Sequence, residues 1–217
     1  MSKEIKLDLY SKEEDKANTL THGLGALLSM VGTTILLINS PLFSVKFWSF
    51  LIFGLSLIIL YSTSTLYHLA ISRRQKLLLK KLDHMAIYIL IAGTFTPFSW
   101  VVLGNEALGK NVLLGVWIIA LAGLIFKVFF TGRYEAISLT SYLGMGWVGY
   151  LMFNRLGDAL SPEAVNLILY GGICYTGGII FYLWTKIKYH HAIWHLFVLG
   201  GSTFHFMAVY LYVLPFK

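Results

Sequence analysis

Two histidines four residues apart open the last apolar stretch of the chain, as His191-Ala-Ile-Trp-His195. On a helix this spacing puts both imidazoles on one face, a turn apart. It is the spacing with which one helix gives two ligands to zinc. His68, near the end of the second apolar stretch, is the expected third ligand. Three protein ligands leave a fourth position for water, as in catalytic rather than structural zinc sites. An all-imidazole set also favours zinc among the common metals. Asp83, opening another stretch, is placed to accept a hydrogen bond from that water and serve as general base. Ser64 lies four residues before His68 on the same face, where it would orient a ligand or touch a substrate carbonyl. The expected metal set is His68, His191 and His195, with Asp83 and Ser64 as the catalytic pair.

Other roles compete for each of these residues. Helical pairs at this spacing also arise by chance, and interfacial histidines can sit among lipid headgroups. The argument for a site is the cost of idle polar groups inside a bilayer. His84 competes with His68 as third ligand, but it adjoins Asp83 and so faces another side. His190 faces elsewhere on the helix and reads as interfacial. His22 fits a supporting group or an interior hydrogen-bond partner. His205 is ten residues past His195, about 15 Å deeper at 1.5 Å per residue, and reads as an interior polar contact. Asp83 also suits the N-terminus of its helix, where an anion is favoured. That role does not exclude work at a metal.

These residues must be positioned by membrane helices. The chain has 217 residues, 57% hydrophobic and only 12% charged, where soluble domains run at about 45–50% and 25%. Seven spans of about 20 residues use roughly 140 of them and leave no room for a soluble domain. A soluble enzyme, a DNA-binding domain and a disordered chain are excluded. The single cysteine, Cys174, excludes an intramolecular disulfide framework and a cysteine-built zinc site. The fold class is therefore all-α: a polytopic seven-helix bundle over 18–213, with a polar tail at 1–17 and a short tail at 214–217. The expected spans are 18–38, 47–70, 83–103, 111–130, 137–154, 164–184 and 191–213. The fifth is the weakest, with Ser138, Thr140, Ser141 and three glycines. No cleavable signal peptide is expected, because the first apolar run starts late and is too long. Pro97 should kink the third helix. Gly25 with Ser29, and the glycines at 144, 146, 149, 171, 172, 177 and 178, should mark close helix contacts.

Lys and Arg fix the direction. Of the 17, 13 fall on the side of the N-terminus and four on the other. The positive-inside rule then puts the N-terminus in the cytoplasm and the C-terminus outside. The net charge of +7 thus reflects loop orientation rather than nucleic acid. Arg73, Arg74, Lys76, Lys80 and Lys81 can also hold anionic headgroups. The same topology places six of the seven histidines and Asp83 in one layer on the cytoplasmic side.

Asn18-Thr19-Leu20-Thr21-His22, Ser64-Thr65-Leu66-Tyr67-His68, Lys81-Leu82-Asp83-His84 and His191-Ala-Ile-Trp-His195, in this order, resemble the hemolysin III family within the progestin and adipoQ receptor group. The resemblance runs from about residue 14 to 213. It implies a seven-helix bundle with a cytoplasmic N-terminus and a zinc held by His68, His191 and His195. Asp83 would contact the zinc-bound water, with Ser64 close by. Short tails resemble the bacterial branch, so the expected location is the bacterial cytoplasmic membrane. Likeness to the receptor group and to alkaline ceramidases implies hydrolysis of a ceramide-like lipid amide or ester, entering sideways from the bilayer. The partners expected are thus membrane lipids and no nucleic acid. Two alternatives stand beside this. One is a cytolytic pore-former, as the family's name implies. The other is a sensor or regulator of membrane state with a structural zinc.

Overall fold

Four serines start helices. Ser11, Ser44, Ser72 and Ser161 have extended backbones, and each hydroxyl accepts a first-turn N–H. Each cap satisfies a donor that a helix end leaves unpaired. At Ser11 the cap is reciprocal. Glu14 N–H donates to Ser11 Oγ at 3.2 Å, and Ser11 N–H donates to Glu14 Oε2 at 3.0 Å. The structure, a computed structural model, describes residues 10–217. Residues 1–9, with Lys3 and Lys6 of the charge count, lie outside the described residues.

The helices are α1 (Lys12–Ile38), α2 (Val45–Leu69), α3 (Arg73–Thr96), α4 (Ala107–Phe130), α5 (Glu135–Trp147), α6 (Phe153–Ala159), α7 (Pro162–Leu183) and α8 (His190–Ala208). Among the described residues there is no strand. Two helix starts differ from expectation by more than four residues. The break Ser72–Lys81 is helical from Arg73, because Ser72 caps it and its Leu and Lys residues are good helix formers. Likewise α1 starts at Lys12 on the Ser11 cap, ahead of residue 18. At Pro97, which lacks the N–H that the α ladder needs, α3 passes into a π-helical turn, Pro97–Val102. A second π turn, Val209–Val213, ends α8.

Among the described residues six helices are long and apolar enough to cross a membrane, and the protein is an all-α polytopic membrane protein. The fifth expected span is broken into α5, a 3-10 turn at Val148–Met152, and α6. It still traverses the bundle. At its start Glu135 meets Lys127, near the end of α4, at 3.1 Å. Near its end Arg155 lies 3.7 Å from Glu106, at the start of α4. The passage thus runs antiparallel to α4, and it makes the seventh crossing.

The core is centred on α2, whose Phe50, Phe53, Leu57 and Tyr61 are buried between α1 and α3. A β-carbon on Gly25 would stand 2.6 Å from the Tyr61 ring, and one on Gly178 2.8 Å from Phe197. These glycines do mark close contacts. Gly144, Gly146 and Gly172 do not: nothing lies within 4 Å of where their β-carbons would be.

Candidate metal centre

His68 stands in the last turn of α2, and His191 and His195 in the first two turns of α8. Antiparallel packing brings these turns to one end of the bundle. All three are buried, and one nitrogen from each lies within 4.8 Å of the other two. Ring centroids are 5.2 Å apart for His68 and His191, 5.3 Å for His68 and His195, and 4.5 Å for His191 and His195. The three imidazoles singled out by spacing meet, and this group could hold a metal ion.

Helix α1 supplies none of the three but grips two of them. His68 Nδ1–H donates to Asp15 Oδ1 at 2.9 Å, and Lys76 from α3 holds the other carboxylate oxygen at 2.8 Å. His195 Nδ1 lies 3.2 Å from the Asn18 carbonyl and 3.1 Å from Thr21 Oγ1. A carbonyl only accepts, so His195 carries its proton on Nδ1 and offers Nε2. Nδ1 of His68 is likewise committed to a carboxylate. Outer partners of this kind fix the tautomer and orientation of metal-ligating histidines. Tyr10 packs its ring 5.0 Å from that of His191 and 5.6 Å from that of His68. Both nitrogens of His191, and Nε2 of His195, are buried with no hydrogen-bond partner among the described residues. Buried imidazole nitrogens without partners call for an occupant. An all-imidazole set that presents lone pairs to a common centre fits a borderline-soft divalent ion.

The remaining predicted residues fall as follows. Ser64 is fully buried one turn before His68, its hydroxyl without a hydrogen-bond partner among the described residues. Asp83 is buried in the third turn of α3. His84 turns away from the cluster to Lys127 Nζ at 3.4 Å, with Glu135 at 3.8 Å. His190 sits with Nδ1 3.1 Å from the Phe181 carbonyl. His205 donates Nε2–H to the Ile168 carbonyl at 3.0 Å, an interior polar contact. His22 stacks face to face on His195, centroids 3.4 Å apart and planes 11° from parallel.

A cavity of about 460 Å³ adjoins the cluster. His22, Tyr67, Asp83 and His191 line it near the start of α8, and Phe98, Met152 and His205 line it deeper. Between them the walls are mainly Leu, Ile and aromatic side chains from α3, α5 and α7. Such a space suits a ligand with a long apolar part and a polar group at one end.

Sequence reasoning missed Asp15 and Tyr10, which sit in a stretch read as polar tail. It also read Lys80 as a break charge and counted Lys127, near the end of the fourth expected span, only toward the charge asymmetry. Both are buried, and Lys127 pairs with Glu135. The signal for Asp15 was its spacing: Asp15, Asn18 and His22 recur at three and four residues, one stripe of a helix.

The family model for "Haemolysin-III related" proteins matches residues 10–206. The "Hemolysin-3 homolog" of Bacillus subtilis (strain 168) is 44% identical over 209 residues, covering 94% of this chain and 96% of that protein. "Hemolysin-3" of Bacillus cereus is 42% identical, covering 94% and 93%. More distantly, the human "Monocyte to macrophage differentiation factor" is 27% identical, covering 92% and 84%. The chain belongs to the hemolysin III family.

Proposed function

We propose that this hemolysin III protein is a zinc-dependent hydrolase of the bacterial cytoplasmic membrane, acting on a ceramide-like lipid amide or ester. The observation that carries the reading is the meeting of three buried imidazoles beside a largely apolar cavity that Asp83 also lines. The Lys and Arg asymmetry supports a cytoplasmic position for this end of the bundle.

His68, His191 and His195 would hold the zinc, and Asp15, Asn18 and Thr21 orient two of those rings. Zinc bound there would supply Lewis acidity and lower the pKa of water toward about 7. The apolar chains of the lipid lie along the cavity walls, entering from the bilayer, with the scissile linkage at the histidine end. Asp83 takes a proton from the attacking water and returns it to the leaving nitrogen or oxygen as the C–N or C–O bond breaks. The products are a fatty acid and an amine or alcohol. Ser64, buried one turn before His68, would hold a neighbouring ring in place through its hydroxyl. Burial of these groups excludes bulk water and strengthens each polar contact.

The test is direct. Purified protein should contain near-stoichiometric zinc, lost when His68, His191 and His195 are all replaced by alanine. It should release fatty acid from lipid amides or esters, and Asp83→Ala or His191→Ala should abolish release. Zinc-loaded protein inert toward a broad panel of such lipids would defeat the reading. The name of the Bacillus cereus relative, "Hemolysin-3", favours a second reading, permeabilisation of membranes. Red-cell lysis by expressing cultures, lost on deletion but untouched by His191→Ala, would select it.

A further inference from the structure

We propose that His22 is a further catalytic residue, whose imidazole N–H donates a hydrogen bond to the carbonyl oxygen of the lipid held in the cavity. The substrate class rests on the hydrolase reading above. The residue itself rests on three observations.

First, His22 is 1% exposed, and neither of its ring nitrogens has a hydrogen-bond partner among the described residues. A neutral imidazole carries one donor and one acceptor, and leaving both unmet in a buried place is costly. Phenylalanine would fill the same space without that cost, stacking on His195 and meeting Tyr61 edge-on at 4.9 Å. The His195 backbone approaches this ring without a well-formed hydrogen bond, so at least one nitrogen answers to a group that the described residues do not supply.

Second, His22 is not one of the three imidazoles whose nitrogens lie within mutual reach. Its contact with the centre is a stack on the face of His195, not a shared focus.

Third, His68 and His195 do not line the cavity, whereas His22 and His191 do. An occupant of the cavity meets His22 where it would otherwise meet His195. Asp83 lines the same space, so the acid–base group and this donor both border the cavity.

A carbonyl oxygen only accepts, so the bond runs from the His22 N–H to that oxygen. During hydrolysis water adds to the carbonyl carbon and charge grows on the oxygen. A preformed donor bonds it more strongly in the transition state than in the ground state. When the C–N or C–O bond breaks and the carbonyl re-forms, the bond weakens again. No proton leaves His22 in the cycle.

His22→Phe and His22→Gln proteins, purified in detergent and loaded with cobalt, test this. His22→Phe keeps the shape and the stack but has no donor, and His22→Gln restores one. Expected for His22→Phe are wild-type cobalt uptake and visible spectrum, with kcat on a short-chain ceramide lowered about 100-fold or more and KM little changed. Acetohydroxamate, whose carbonyl oxygen probes the same position, should bind about tenfold more weakly. His22→Gln should recover part of both losses. Wild-type turnover and hydroxamate binding in His22→Phe would overturn the inference. So would a changed cobalt spectrum, which would make His22 a support for the metal. Failure of the hydrolase reading looks different: a cobalt-loaded wild type inert to lipids, with the hydroxamate difference still present. A wild type that takes up no metal would sink both.

Discussion

Asp15 should govern metal affinity although it touches no metal. Its carboxylate accepts from His68 Nδ1–H at 2.9 Å and from Lys76 at 2.8 Å. Asn18 Nδ2, a donor, lies 3.4 Å from the same His68 nitrogen. The two neighbours favour opposite tautomers. Asp15 needs the proton on Nδ1, which leaves the Nε2 lone pair for a metal. Asn18 alone would favour a bare Nδ1 and a protonated Nε2, which cannot ligate. Removing the carboxylate therefore removes an orienting bond and also tips the ring toward the wrong tautomer. Losing an outer-shell partner of this kind costs about 10–100-fold in metal affinity, or roughly 1.4–2.8 kcal/mol. Asp15→Ala should fall at the upper end. Asp15→Asn, which keeps an acceptor oxygen but loses the charge, should fall near tenfold. Some loss of stability should accompany either change even without metal, because the side chains of Asp15 and Lys76 are only 20% and 19% exposed and the His68 ring they orient is buried.

Chelator competition on detergent-purified protein measures the affinity, and thermal unfolding gives an independent check. With free zinc at 1,000 times the wild-type Kd, bound ion stabilises by about 4.1 kcal/mol, and a tenfold weaker site by about 2.7 kcal/mol. The gap between variants should be clearly larger with metal than without it. Wild-type affinity in Asp15→Ala would refute the tautomer argument. A melting deficit of equal size with and without zinc would show Asp15 to be merely structural.

Three further outcomes follow from the geometry. Lys127 has a fully buried side chain, whereas its partner Glu135 is 38% exposed, so Glu135→Ala, which strands the lysine, should destabilise more than Lys127→Met. The deficit should approach the low end of the roughly 3–5 kcal/mol for a broken buried pair, and equal losses in thermal unfolding would contradict this. Gly25→Leu drives a side chain into the Tyr61 ring and should lower both stability and zinc retention, while Gly144→Leu, in open space, should change neither; zinc content and melting temperature of the two variants decide it. Gly172 lines the cavity, with nothing within 4 Å of an added β-carbon, so Gly172→Phe should fold yet discriminate against long acyl chains; equal turnover of short- and long-chain ceramides would place the chains elsewhere.

The group of three histidines that could hold a metal was legible because it obeys local rules. The spacing of His191 and His195 is a property of one helix, and burial in an apolar span makes idle imidazoles costly. Topology put His68 at the same end as that pair, since an even number of crossings separates the end of α2 from the start of α8, but it put His22 and His84 there too. The outer partners were hidden for the opposite reason. Asp15 and Tyr10 precede the apolar run, and hydropathy marks the membrane core rather than the helix, which continues as far as its cap at Ser11. The burial of Lys80 and Lys127 was hidden in the same way. A lysine near a span end reads as a loop charge until a partner such as Glu135, from the next element, is seen to meet it.

The broken fifth crossing shows how a weak sequence signal and the cavity share one cause. Gly146 and Gly149 of this stretch bring no side chain to the space between α3 and α7. Gly144 and Gly146 face open space, and Gly149 meets only the edge of Phe95 at 3.5 Å. Where side chains do not fill, packing cannot hold a long straight helix, and the ladder tightens to a 3-10 turn at Val148–Met152. The space left over is the cavity, with Gly146, Gly149 and Met152 on its wall. Low packing density in a bilayer is tolerated only where something else fills the gap, and lipid is the solvent at hand. A continuous, well-packed fifth helix would therefore be expected to stabilise the bundle and close the cavity. Gly144→Leu alone, facing open space, tests only the fold. Gly146→Leu combined with Gly149→Leu tests the wall itself, and should raise the melting temperature while cutting lipid turnover. A stabilised double variant with unchanged turnover would mean that substrate does not use this space.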